Sequence, residues 1–227
     1  MGDAESLTLG TLKTLGNANP NLLGFVDRLL VSLEGTEEEF LQVLYDDFDS
    51  IANEFQKHRH LRCHDEEDRT TIEIISNLNS RQYNVTHDEA SSGHADMVVR
   101  HGRFTWIGEA KRDHSSTNIL EGFKQLVTRY TTGTNGQKSG GLLIYIQNNP
   151  NASLYMEKWK KFFMEKAKEF PLEVSGGEVR IEECSSNELA FFTVHEHQVS
   201  GNLFRTRHMP ILLHFNPQDK SGLKRKP

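Results

Sequence analysis

Two strand-forming runs, Gly93-His94-Ala95-Asp96-Met97-Val98-Val99 and Phe104-Thr105-Trp106-Ile107-Gly108-Glu109-Ala110-Lys111, flank His101-Gly102-Arg103, and this pairing constrains the fold more than any other stretch. Glycine at the first central position of a two-residue loop is what a type II′ hairpin turn requires, so Gly102 and Arg103 fall at the tip. In that register Val98 faces Ile107, Arg100 faces Thr105 and Asp96 faces Glu109, with Lys111 on the same face two residues further on. Val98, Trp106 and Ile107 give the hairpin the apolar character of a central sheet element, where unpaired acids are costly.

Two carboxylates on one face repel each other, and a divalent cation between them relieves the repulsion. Ligands that are all oxygen suit magnesium or manganese better than zinc. A surface ion-pair cluster is the plainer alternative, but it adds little stability and fits poorly with so apolar a hairpin.

The spacing of Asp96, Glu109 and Lys111 resembles the PD-(D/E)xK nuclease superfamily, with Ala95 where the family name has proline. The resemblance implies an α/β restriction-endonuclease-like core in the order helix, three strands, helix, strand, and the chain supplies a candidate for each. Residues 65–79 carry Thr71, Ile74, Ile75 and Leu78 at helical spacing, 81–86 form a short strand, and the hairpin follows. Ile119, Leu120, Phe123, Leu126 and Val127 mark a second helix over 115–131, and Gly-Leu-Leu-Ile-Tyr-Ile-Gln at 141–147 reads as a buried central strand. The resemblance covers roughly residues 64–150.

It further implies a metal-dependent deoxyribonuclease in which Asp96, Glu109 and the main-chain carbonyl of Ala110 hold magnesium, for which manganese substitutes, and Lys111 stands beside the attacking water. An additional acid on the first helix is common in the superfamily. Glu67 is the choice among Glu66, Glu67, Asp68 and Glu73, because it lies four, seven and eight positions before Thr71, Ile74 and Ile75 on the buried face. Gln125 and Tyr130 resemble the Gln-x-x-x-Tyr motif of RecB-type nucleases with one residue too many, so on an α-helix they diverge. Lys124, Arg129, Arg112 and His114 are candidates for phosphate contacts.

The remaining chain divides by pattern. Residues 1–63 read as a helical extension with helices over 21–33 and 37–58, and Phe40, Leu41, Val43, Leu44, Phe48, Ile51 and Phe55 recur at helical spacing. Residues 151–217 read as a helix over 151–170 followed by strands at 189–194 and 203–215, and 218–227 as a flexible tail. A hydrophobic fraction of 36% in 227 residues suffices for one good core. The net charge of −6 means that any nucleic-acid contact rests on local bases, such as Lys158, Lys160, Lys161, Lys166, Lys168 and Lys224-Arg225-Lys226.

Cys63 and Cys184 leave no disulfide framework, no apolar run spans a bilayer and the N-terminus has no secretory signal, so a cytoplasmic protein is expected. Met1 to Ser6 fits a short myristoylation pattern, against which its acidic neighbours speak. His58, His60, Cys63 and His64, and separately His195 and His197, offer a rival zinc site without the paired ligand spacing that structural zinc favours. By fold-level analogy, small members of the superfamily serve restriction, antiviral defence or repair, as homodimers or with a partner protein of a defence complex. An RNA-directed nuclease and an inactive nuclease-fold interaction module are the alternatives.

Overall fold

The computed structural model describes residues 8–87, 89–90, 94–169 and 178–219. A seven-stranded mixed sheet forms its centre, with six α-helices among the described residues. Helices α1 (Leu9–Ala18), α2 (Pro20–Glu34) and α3 (Glu37–Lys57) come first, then α4 (Glu67–Ser80) and β1 (Asn84–Thr86). A two-stranded ribbon, β2 (Glu89–Ala90) and β3 (His94–Ala95), precedes β4 (Met97–His101) and β5 (Phe104–Arg112). Then follow α5 (Ser116–Gln125), a π-helical turn (Leu126–Tyr130), β6 (Ser139–Ile146), α6 (Ala152–Ala167), β7 (Arg180–Glu183), β8 (Phe191–Glu196) and β9 (Leu203–Leu212).

The strand order is β1-β4-β5-β6-β9-β8-β7. Pairs β5/β6 and β6/β9 are parallel, while β1/β4, β4/β5, β9/β8 and β8/β7 are antiparallel. The parallel strands need crossovers, which α5 supplies between β5 and β6. Alternation along β6 then builds two cores. Leu143 and Tyr145 point to the face covered by α3 and α4, and Leu142, Ile144 and Ile146 to the face covered by α5 and α6.

Phe48 of α3 lies against Trp106 of β5 with ring centroids 5.0 Å apart, so the N-terminal helical stripe belongs to the sheet's own core. A capping box at Thr36 and Glu39 starts that helix. The hairpin register stands as read, with Val98 opposite Ile107 and Arg100 opposite Thr105. Gly102 has φ +58°, and a side chain there would also meet the Ser32 carbonyl oxygen at 2.5 Å, so the tip requires glycine twice over.

Three elements have no counterpart in the sequence reading: α1, β2 and β7. The last is an edge strand carrying Arg180, Glu182 and Glu183 and lacks the apolar alternation that marks half-buried strands. The helix expected over 115–131 is α-helical only to Gln125, because the π turn takes over. Gly93, residues 1–6 with their myristoylation pattern, Lys224-Arg225-Lys226 and all of the expected tail beyond Asp219 lie outside the described residues.

Candidate active site

β4 and β5 part company at one point, and the acidic residues gather there. Their ladder ends at Met97 opposite Gly108, Asp96 sits in a bend, and β5 runs on to Arg112 with its edge toward β4 unpaired. Amides two residues apart on a strand point the same way. On this edge the Ala110 N–H donates to Asp96 Oδ2 at 2.8 Å and the Arg112 N–H donates to Glu67 Oε2 at 2.9 Å. Side-chain carboxylates thus replace the missing strand as acceptors for backbone donors that would otherwise go unsatisfied. The expected backbone pairing of Asp96 with Glu109 is therefore corrected: Asp96 has left the ladder, and its carboxylate caps the edge.

Glu67 opens α4 and reaches round the free edge of β5 from the opposite face. One turn further on, the Thr71 hydroxyl meets the Tyr145 hydroxyl at 2.8 Å and anchors the helix to β6. Glu109 and Lys111 point to the α5 face, as their spacing requires. Gly122 of α5 stacks directly on them, and a Cβ there would meet Lys111 Cγ at 2.8 Å and Glu109 Cγ at 3.2 Å. The sequence reading passed over Gly122. Its signal was an isolated glycine inside an amphipathic helix, which marks a close approach.

The Lys111 ammonium lies among all the oxygens assigned to a metal. Its Nζ is 2.7 Å from Glu109 Oε1 and 2.7 Å from the Ala110 carbonyl oxygen, and 3.5 and 3.6 Å from Glu67 Oε1 and Asp96 Oδ2. Three carboxylates face one ammonium in a site where Glu109 is only 2% exposed. Burial, reinforced by the Asp96 charge, pushes the Glu109 carboxyl up to about 7. Burial also raises the Glu67 carboxyl, against the pull of Lys111 and the Arg112 N–H. For Lys111 burial acts to lower the pKa, yet Glu109 and Asp96 together carry it above the ordinary lysine value, so it stays an ammonium.

Glu109 Oε2 is buried and has no hydrogen-bond partner. A naked carboxylate oxygen beside a main-chain carbonyl and two further carboxylates is a donor set that suits a hard divalent cation. Among the described residues, no group of three or more His, Cys, Asp or Glu stands at metal-holding spacing. His58, His60, Cys63 and His64 form no such group either. His195 and His197 are buried at 1% and 2% exposure rather than lying on a wet strand face.

The π turn bears on Gln125 and Tyr130. A π turn closes on i+5 rather than i+4, so a five-residue separation no longer spreads the pair as it does on an α-helix. Tyr130 lies within electrostatic reach of the acids: burial first, then Glu109 and Asp96, raise its phenol. Gln125 is half-buried one residue before the turn. Among the phosphate candidates, Arg112 is engaged by Glu66 and by Gln147, whereas His114 and Arg129 are exposed. No protein-family model, curated protein or solved structure matches this chain. No helix among the described residues is long and apolar enough to cross a membrane.

Proposed function

We propose that this protein is a metal-dependent nuclease of the PD-(D/E)xK type that hydrolyses phosphodiester bonds in DNA. The observation that carries the reading is the ring of four oxygens, from Glu67, Asp96, Glu109 and the Ala110 carbonyl, closed on one cationic centre beside an unpartnered Glu109 oxygen. The run α4, β1, β4, β5, α5, β6 follows the order helix, three strands, helix, strand, with the β2/β3 ribbon inserted before β4, and this order supports the reading. The choice of DNA rests on the resemblance of Asp96, Glu109 and Lys111 to the superfamily.

Those four oxygens would hold magnesium, with manganese able to replace it, and the ion when bound supplies positive charge to the phosphate and acidity to water. The protein's own groups do the rest. In the hydrolysis a water oxygen attacks phosphorus as the ester P–O bond opposite it breaks. Lys111, whose Nζ now lies among those oxygens and would move aside for the ion, would donate a hydrogen bond to the attacking water or to a phosphate oxygen and stabilise the charge that develops there. Glu109 would face the ion with Oε1 and the unpartnered Oε2, while the attacking water gives its proton to bulk solvent and the leaving ester oxygen takes one up. Tyr130 offers a phenol on the α5 side of the same acids.

A second reading draws on the same ion pairs. If Lys111 is a permanent internal counterion, the site is a scaffold element and the protein a non-catalytic interaction module. Supercoiled plasmid, linear duplex, single-stranded DNA and RNA incubated with magnesium, manganese or chelator separate the two. Asp96→Asn keeps an acceptor for the Ala110 N–H and Glu109→Gln keeps the shape of its side chain, so lost cleavage in these variants reports chemistry. The nuclease reading expects metal-dependent DNA cleavage that drops by about 10²–10⁴ in either variant. A wild-type protein that cuts nothing, and whose melting temperature ignores manganese, sinks it in favour of the scaffold.

A further inference from the structure

A cavity lies apart from the acids, at the carboxyl ends of β6 and β9. Its volume is about 650 Å³, within the roughly 300–1,000 Å³ span of small-ligand sites. Ile146 and Leu212, the last residues of the two strands, form an apolar floor beside the Phe215 ring. Arg59, from the turn after α3, is exposed on the wall with one guanidinium nitrogen donating to the Gln56 carbonyl, Asn216 presents an exposed amide, and Asn149, whose Nδ2 donates to Asp113, lines the same wall. Asp219 supplies a carboxylate at the rim.

We propose that this cavity is a nucleotide-binding site, in which a base lies against Phe215 between the amides, a phosphate meets Arg59, and ribose hydroxyls donate to Asp219. Each feature excludes simpler ligands. An inorganic anion has no use for an apolar floor and an aromatic ring, and a purely apolar ligand would cover the exposed Arg59 guanidinium and Asn216 amide without pairing them. A planar heterocycle carrying hydroxyls and a phosphate satisfies all of them.

The cavity also has a hydrogen-bonded route to the acidic site. His214 lines it and donates from Nδ1 to the Gln147 carbonyl at 2.8 Å, which leaves Nε2 as an acceptor in the neutral ring. Gln147 is buried, and its Oε1 accepts from Arg112 Nε at 2.9 Å, while its Nε2 donates to the Arg62 and Asp65 carbonyls ahead of α4. Arg112 in turn holds Glu67 through its main-chain N–H. Three hydrogen bonds thus join His214 to Glu67, so a nucleotide against His214 stiffens the end of β5.

Calorimetric titration of the full chain in chelator, with adenosine 5′-monophosphate, adenosine and inorganic phosphate as separate probes, tests the site without metal or cleavage. Its failure leaves the nuclease reading standing, and an inactive protein leaves this site standing. The monophosphate should bind at least tenfold more tightly than either fragment, and Arg59→Ala should remove most of that advantage while sparing adenosine. Phe215→Ser should weaken adenosine and the monophosphate alike. Hydrogen exchange over residues 109–113 should slow when the monophosphate binds, and this response should disappear in His214→Phe. Absence of binding, phosphate binding as tightly as the nucleotide, or indifference to Arg59→Ala overturns the site. Exchange that changes only along the cavity wall overturns the route.

Discussion

Two buried polar clusters face the same helix, α5, from opposite halves of one sheet, and they meet the cost of burial in opposite ways. On the β5 side, Gly122 of α5 covers Glu109 and Lys111, and the charges are kept. On the β8/β9 side, Phe123 of α5 lies 5.9 Å from the His195 ring and 5.8 Å from the His208 ring, and the charge is given up. Burial lowers the His195 pKa to about 4 and the His208 pKa to about 3. His208, fully buried, accepts from Trp159 Nε1 at 3.1 Å and donates to the Thr193 hydroxyl at 3.1 Å, so it sits neutral and satisfied. His195 has a partner on neither ring nitrogen.

A neutral polar group can be absorbed by a core with one or two hydrogen bonds, whereas several carboxylates kept around an ammonium are tolerated only where something compensates the excess. Neutralisation is the structural solution. Where charge is retained, Glu109 Oε2 stays buried without a hydrogen-bond partner, a cost more common at functional sites than in cores.

Removing the internal cation should break the comparison most strongly. Lys111→Ala leaves three carboxylates around an empty centre and should destabilise the chelated protein by about 3–5 kcal/mol. Magnesium should recover part of that loss, as read by thermal melts with and without the ion. Equal melts of Lys111→Ala and wild type in chelator would show that the ion pairs carry no weight.

Glu109→Gln should act in the other direction. Because the folded-state pKa of Glu109 is about 7 against an ordinary 4.5, its protonation stabilises the fold fully below pH 4.5, and that contribution is lost as pH rises through 7. The amide should therefore be about 2–3 kcal/mol more stable than wild type at pH 8, with the difference gone by pH 4.5. A variant less stable at pH 8 would mean that Lys111 more than compensates the buried charge. Activity should fall while stability rises.

Gly122→Ala sharpens the comparison from the helix side. The added methyl meets Lys111 and Glu109 at contact distances their stems must yield to, and overpacking of this kind costs about 1–3 kcal/mol. Cleavage should fall with it, whereas substitutions of exposed Thr117 on the same helix should leave both unchanged. Denaturant midpoints and cleavage rates measured on both variants decide the point.

The smallest effect is expected on the histidine side. His195→Leu removes two unpartnered nitrogens and should be neutral to about 1 kcal/mol stabilising at pH 7. The histidines bind their protons only when unfolded, so their contribution is present above pH 6.5 and is lost as pH falls toward 4 and 3. His195→Leu should accordingly resist acid better than wild type in urea melts between pH 6.5 and 4. Greater acid sensitivity would place a hidden partner on the imidazole.

Most of the framework around the acids was legible in the chain. The hairpin register followed from Gly102 and a period of two, and the helices α3, α4 and α6 from apolar residues at helical spacing. Glu67 was legible as a buried-face acid because helix geometry relates it to Thr71, Ile74 and Ile75. Elements without apolar patterning were not. The edge strand β7 and α1, with its two glycines and weak apolar stripe, carry no local signal strong enough to mark them. Nor did Gln125 and Tyr130 share a face by α-helical counting, since a π turn has no signature in residue types.

By itself the sequence determined what depends on near neighbours: which face each residue of a strand or helix presents, where the hairpin turns, and which side chains are too costly to bury unpaired. These follow from backbone geometry repeated every two or every 3.6 residues. Only the tertiary structure decided that Asp96 leaves its ladder to cap β5, that Glu67 reaches the same edge from the opposite face, and that Lys111 lies among their oxygens. It likewise decided that His195 is buried and neutral. Those outcomes depend on where distant segments stop pairing and what then fills the gap, and pairing ends are set by packing across the whole sheet.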